Sequence, residues 1–388
     1  ARVTFDGLVE LQFHARGALS NLFVQRMNGV PHEQEDEALV QVRAVGLDFR
    51  DVLNVLGEYP GDPGPVGGNS AGVIIANTGS VVEHAVGGSI FGFVEAPLAS
   101  LTRSSGLLLG PKPASMSFEQ ASTIPVTWST THVAFQRGGL RRAQCVIVHA
   151  TAGGVGLKAV EYAQWLSARV VGTAGRPRKH QPLRSVGVRL LCSSRDASSY
   201  ALGAARHMIA SRSQAAFNSL SLNFISATFA TLADGGAFEE IGKRAVWSAI
   251  RHKASAPHTT YNVIALDTDI AANPVWLYRT VLLLSARSEA VVVTSLPVRS
   301  FDMEAQHELA FRTLQNGLNI GKIVVRIAQH RVTEDSASHI VTGGTGGLGL
   351  LTARWLAQRG ACGLALASRS GAVACDAATD WEQLQQTS

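Results

Sequence analysis

Two glycine-rich turns carry the residues whose spacing is most specific for chemistry. The later one, Gly344-Thr-Gly346-Gly-Leu-Gly349, satisfies G-x-G-x-x-G between the apolar "HIVT" and the helix-like "LLTARWLAQRG". In that pattern the first glycine makes the turn, the second lets backbone approach a pyrophosphate, and the third packs helix against strand. Free N–H groups and the helix dipole then attract the anion. Where an NADH site would place an acid after the next strand, the sequence has Ser368-Arg369, and a guanidinium there suits a 2′-phosphate. The earlier turn departs from the pattern, running Ala150-Thr-Ala-Gly153-Gly154-Val155-Gly156 between "CVIV" and "LKAVEYAQWL". Its following strand, "RVVGTAG", ends without an acid and delivers Arg176, Arg178 and Lys179. Three cations at a helix start oppose the helix dipole, a local conflict that an anionic ligand would resolve. For each turn the alternative is a tight strand-to-helix connection that holds nothing.

The elements that must position these residues follow from periodicity. Residues 1 to about 125 read as short alternating strands ("GLVELQFHA", "ALVQVRAVG", "AGVIIAN", "GSIFGFV") separated by Gly/Pro turns, an all-β pattern. From about Trp128 the rhythm becomes strand, glycine turn, helix, strand, which implies a parallel sheet covered by helices. "AAFNSL" and "GAFEEIG" add strands, "PVWLYRTVLLLSA" has helical spacing, and "GKIVVRIA" reads as a strand. The polar "QHRVTEDSASH" reads as a linker before a second strand–turn–helix unit opens. The fold class is therefore α/β. His149 reads as a packed core histidine, and Lys158, early in the helix, as exposed.

Composition bounds the classes. With 388 residues, 46% apolar and 16% charged, the chain is globular with room for two or three domains. A net charge of +5 in scattered pairs gives no nucleic-acid arm. The four cysteines lie far apart with no Cys-x-x-Cys, which argues against a disulfide framework or structural zinc and for a reducing, cytoplasmic setting. Arg287 and Glu289 interrupt the most apolar region, so no membrane span is expected. Beginning at Ala1 without Met and ending on "WEQLQQTS", the sequence reads as a segment of something longer.

The stretches "GLDFRDVLNVLGEYPG", "PVGGNSAGVI", "HATAGGVGLKAV", "FNSL", "FEEIGK" and "FRTLQNGLNIGKIVV" resemble the enoyl reductase domain of polyketide synthases and animal-type fatty acid synthases. That domain belongs to the zinc-free branch of the medium-chain dehydrogenase/reductases. "VTGGTGGLG…LALASRSG" is similar to the start of the ketoreductase domain that follows it in those megasynthases. The resemblance implies a GroES-like substrate domain in two pieces, 1–125 and 262–328, around a Rossmann domain at 126–261. A linker at 329–338 and a truncated ketoreductase Rossmann start at 339–388 follow.

It further implies NADPH as cofactor and a trans-2-enoyl thioester on an acyl carrier protein as substrate. Neighbouring megasynthase domains are implied partners, and a homodimer is left open. No metal is expected, because "GGNSAG" puts Asn69 and Ser70 where zinc relatives carry ligands. Lys243 and Asp267 match the positions of proton donors or polarising groups. An ammonium near a developing enolate can both stabilise it and protonate it; a surface lysine is the alternative, and Asp267 serves equally as a turn cap. Asn218-Ser219-Leu220 is expected along the nicotinamide side, and Phe49, Arg50, Asp51 and Tyr59 line or brace the substrate groove. The sequence departs from the family at Gly175, where a serine usually precedes the phosphate-binding lysine, and over 198–215. Those departures leave a catalytically silent scaffold as one alternative; a free-standing zinc-free quinone oxidoreductase is another.

Overall fold

A computed structural model describes residues 7–31, 36–77, 84–207, 212–220, 223–327, 338–358, 363–373 and 377–385. The expected linker lies outside the described residues except for Ser338, as do Cys362 and Cys375.

The chain opens with an antiparallel pair, β1 (Val9–Phe13) and β2 (Leu22–Arg26). β3 (Glu37–Leu47) is followed by a helix, α1 (Phe49–Leu56), which interrupts the all-β pattern expected here. Asp48 caps α1 in a reciprocal box with Asp51, and Gly57 ends it in the left-handed region at φ 69°. β4 (Asn69–Asn77), β5 (Ser89–Phe93), β6 (Leu101–Ser105) and β7 (Leu109–Pro111) complete the first piece, and α2 (Phe118–Ala121) leads out of it.

α3 (Pro125–Gly138) starts on proline at its first position and ends at left-handed Gly139. Then come β8 (Cys145–Val148), α4 (Gly154–Trp165), β9 (Arg169–Ala174), α5 (His180–Ser185), β10 (Leu190–Ser193) and α6 (Ala197–His207). β11 (Ser213–Asn218), α7 (Asn223–Phe229), β12 (Leu232–Glu240), α8 (Ala249–Ser255) and β13 (Thr260–Val263) continue the alternation. All six strands are parallel in the order β10-β9-β8-β11-β12-β13. The order reverses between β8 and β11. In open α/β sheets the crevice beyond the strand ends at such a reversal is where ligands bind. β8 is buried throughout, as a central parallel strand covered on both faces requires.

After α9 (Leu266–Ala272) and α10 (Pro274–Glu289), β14 (Val298–Asp302), α11 (Met303–Gln315) and β15 (Lys322–Arg326) return to the first piece. β15 pairs antiparallel with β3, giving a seven-stranded sheet in the order β14-β15-β3-β4-β5-β7, with β6 also on β3. The expected boundary between 261 and 262 falls inside β13, whose pairing with β12 carries the parallel sheet to Val263. One core joins Phe91 and Phe93 to Trp128, Val148, Leu277 and Val281, so the lobes share apolar packing. β16 (Ser338–Thr342) and β17 (Gly363–Ala367) form a separate parallel pair, with α12 (Gly347–Gln358) between them and α13 (Ala378–Gln385) after them. Leu350, Ala353 and Leu384 pack there as a small core of their own.

Candidate nucleotide and substrate site

The glycine turn after β8 lies at the sheet reversal. Ala150 is held in the left-handed region at φ 48°, and its N–H donates to the Thr173 hydroxyl at 3.0 Å. A Cβ on Gly156 would stand 2.6 Å from Thr151 Cα, so only glycine lets α4 approach this close to the turn. Gly153 caps α4 and offers no side-chain acceptor to the first N–H groups of the helix. His149 is buried between the hydroxyls of Thr173 (3.3 Å) and Thr228 (2.7 Å), and burial pushes its pKa down to about 3. It is a packed histidine, as its sequence position predicts.

The cations gather at the neighbouring strand end. Arg176 and Arg178 donate to the backbone carbonyls of Asn316 (3.2 Å) and Leu318 (2.9 Å), across the cleft between the lobes. Burial, then the charges of Arg178, Arg176 and Arg195, hold the Lys179 ammonium below its usual range. Sequence reasoning misses Arg195. It lies just past β10, and β10 pairs with β9, so both strands deliver their following residues to one place. A signal for it exists: it ends "LLCSSR", an apolar run followed by a polar turn. The buried Nε of Arg176 has no hydrogen-bond partner. A cluster of cations, an orphaned guanidinium N–H and a helix N-terminus without a side-chain cap fit a phosphorylated dinucleotide.

The substrate side assembles from three distant segments. The Tyr59 hydroxyl donates to Asp267 Oδ2 at 3.3 Å, and Arg50 approaches the same oxygen at 3.9 Å while stacking over the Tyr59 ring. Lys243, just after β12, donates to the carbonyl of Ile264 at 3.2 Å. Burial raises the pKa of Asp267, but the Lys243 charge, the Thr268 N–H, Arg50 and Tyr59 outweigh it and hold the carboxyl below its usual range. Burial and then Asp267 push the Tyr59 phenol up. Asp267 lies in the first turn of α9. Arg244 stacks over Phe49 and pairs with Glu58 at 3.5 Å on the same rim. Tyr59 and Arg50 thus contact the Asp267 carboxylate, and the Lys243 charge acts on the same group.

Other candidates are placed differently. Asn218 is fully buried and commits its side-chain amide to Glu240 and the Leu220 carbonyl, which corrects the expectation that it faces the nicotinamide. Ser219 is exposed and reaches the His149 carbonyl at 3.4 Å, tying the ends of β11 and β8; Leu220 is half-buried beside it. Asp51 is buried, accepting from the backbone of Asp48 and Gly67, and braces α1. Lys158, expected exposed, is 2% exposed because α4 packs under the 294 loop; its ammonium binds Glu161 and the Thr294 carbonyl. Asn69 and Ser70 are buried, and Asn69 joins Asp48 to the start of α3. Among the described residues no group of three or more His, Cys, Asp or Glu could hold a metal, and no helix is long and apolar enough to cross a membrane. In the last unit a Cβ on Gly349 would meet Gly343 O at 2.2 Å, whereas Gly346 is open to 3.6 Å; Gly344 turns against Leu366, and Arg369 is exposed past β17. These four belong to the separate strand pair, not to the first cleft.

The family model described as the KR domain matches residues 337–388. The chain is 31% identical over 383 residues to a component of the phenolphthiocerol/phthiocerol polyketide synthase of Mycobacterium tuberculosis, covering 93% of this chain and 17% of that protein. It is 34% identical over 351 residues to the spectinabilin polyketide synthase system protein NorB of Streptomyces orinoci, covering 89% and 16%. The chain thus spans about a sixth of the length of the curated relatives it matches. Among solved structures it is similar to the CurK enoyl reductase, with TM-score 0.77, 29% identity, and 83% of this chain and 100% of that one covered. The NADPH complex of mycobacterial Rv1454c, at 20% identity and TM-score 0.71 over 82% of this chain and 100% of that one, shares the fold.

Proposed function

The chain is an enoyl reductase-type domain of the medium-chain dehydrogenase/reductase fold joined to the start of a ketoreductase domain, in the order of type I polyketide synthases, and from that premise we propose that it reduces a trans-2-enoyl thioester with NADPH. The observation that carries this reading is the meeting of Tyr59, Arg50 and Asp267, with the Lys243 charge acting on the same carboxylate. The thioester is proposed to arrive on an acyl carrier protein, as the resemblance implies.

Bound NADPH supplies the hydride. Arg176, Arg178, Lys179 and Arg195 would hold its 2′-phosphate, and the N-terminus of α4 with Ala150, Gly153, Gly154, Val155 and Gly156 its pyrophosphate. The sheet reversal would direct the nicotinamide toward Ser219 and Leu220. As negative charge develops on the thioester oxygen, the Lys243 ammonium stabilises it. Lys243 then delivers a proton to the α-carbon, while Asp267, held ionised by its neighbours, supplies the negative charge that acts on it. Tyr59 and Arg50 orient Asp267 and close the groove. Residues 337–388, which match the KR domain, carry a glycine turn of their own.

The divergent stretch 198–215 is what would favour a silent scaffold. There α6 packs Tyr200 and Ala204 into the core and β11 joins the parallel sheet, which favours the enzyme. The test is NADPH oxidation followed by absorbance on mixing with a crotonyl-pantetheine thioester. Turnover with NADPH and little with NADH is expected. A folded protein that binds NADPH without oxidising it on the thioester would overturn the reading.

A further inference from the structure

Glu240, the last residue of β12, has a fully buried carboxyl that the catalytic reading does not use. Asn218 Nδ2 donates to both of its oxygens, at 3.1 and 2.9 Å, and the Gly242 N–H donates to Oε1 at 2.8 Å. Asn218 in turn accepts the Leu220 N–H at 3.2 Å and donates to the Leu220 carbonyl at 2.7 Å. Its backbone carbonyl accepts from Ile241 and Gly242. A Cβ on residue 242 would stand 2.6 Å from Glu240 Oε1, so glycine is required for the carboxyl to reach this turn. The Glu240 carboxyl and the Asn218 carbonyl join the end of β11 to the turn that carries Lys243, and the Asn218 side chain closes on Leu220.

We propose that Glu240 is a positioning residue: its carboxyl fixes the Ser219–Leu220 strand end and the Gly242–Lys243 turn in one geometry, so that nucleotide rail and proton donor stay in register. This rests on the catalytic reading above. Holding two polar turns with a buried carboxyl is costly, and an apolar side chain would fill the space more cheaply. The cost is accounted for if the relative placement of the two turns matters, since a displacement of about 1 Å at a reacting centre reduces rate by about a hundredfold. The titratable groups facing Glu240 are Lys243 from the following turn and Tyr261 from β13.

The test uses the full chain with Glu240→Ala and Glu240→Gln. Amide hydrogen exchange of the protein without nucleotide reads the knot directly. In Glu240→Ala the Gly242 and Leu220 amides should lose protection at least about tenfold while the β8 and β12 amides keep theirs. Turnover per bound NADPH should fall roughly 30- to 100-fold with the NADPH Kd within about threefold, and Glu240→Gln, which keeps an acceptor for Gly242, should restore it to within about threefold. A residue that only fills space would lower thermal stability without changing turnover per bound NADPH. Unchanged exchange at both amides, or turnover per bound NADPH within about twofold of wild type, overturns the proposal. Wild-type protein that binds NADPH but reduces no thioester overturns the catalytic reading instead, and the exchange measurement still decides the knot.

Discussion

Arg195→Gln tests the phosphate site at the cation that sequence spacing does not reveal. In the free protein two effects oppose each other. The substitution removes a hydrogen bond from Arg195 Nε to the Gly175 carbonyl at 3.1 Å, a loss of about 1 kcal/mol. It also relieves repulsion with Lys179, worth roughly 0.3 kcal/mol. Stability of the free protein should therefore stay within a degree or two of wild type. With NADPH bound, the lost guanidinium removes a charge-assisted contact of about 1.5 kcal/mol, taken at the low end because Arg195 is exposed. That is roughly a tenfold weaker Kd for NADPH. NADH lacks the 2′-phosphate, so its Kd should not move. Titration calorimetry with both nucleotides at low and high salt is the assay, and the difference should shrink at about 0.5 M salt, where the Debye length is only a few ångströms. Equal weakening of NADPH and NADH, or none of either, would refute the assignment of these cations to a 2′-phosphate.

Lys243→Gln should lower kcat by about 10²- to 10³-fold while leaving NADPH affinity unchanged, read by steady-state rates alongside nucleotide fluorescence. Glu239 is buried with Oε2 unpartnered, and burial pushes its carboxyl up to about 7 from an ordinary 4.5. Because the unfolded chain ionises first, the stability this group supports is complete below about pH 4.5 and declines as pH rises toward 7. Glu239→Gln should remove that slope and raise Tm at pH 8, corresponding to roughly 1–3 kcal/mol, with little effect at pH 4; equal shifts at both pH values would contradict it. Lys158→Ala removes the partner of Glu161 Oε2 and of the Thr294 carbonyl, and should destabilise the protein by about 2 kcal/mol in denaturant unfolding, whereas an exposed lysine would change it by less than about 0.5 kcal/mol.

Local spacing reveals the parts whose physics is local. The turn from Ala150 to Gly156 is legible because a strand, a tight turn and a helix N-terminus are neighbours in the chain, and a missing acid after β9 is visible in the same window. Lys243 and Asp267 are legible only through resemblance, since nothing in their spacing brings them together. Lys158 escapes the sequence because helix position alone does not say which face a later segment will cover, and the 294 loop covers that one. Asn218 escapes it for a related reason: a polar residue at a strand end looks available until its partner on the next strand is known.

The sequence by itself determined the alternation of strand and helix, the second glycine turn and the absence of an acid beside either one, because hydrophobic period and turn chemistry act over a few residues. Only the tertiary structure decided that Arg195 joins Lys179, that Tyr59 meets Asp267 across 208 residues, and that Glu240 ties two strand ends together. Those meetings depend on strand order, on the return of β15 to β3, and on which carboxyl ends a parallel sheet gathers at one edge. Chain entropy and packing of the whole molecule select that arrangement, and no window of adjacent residues contains it.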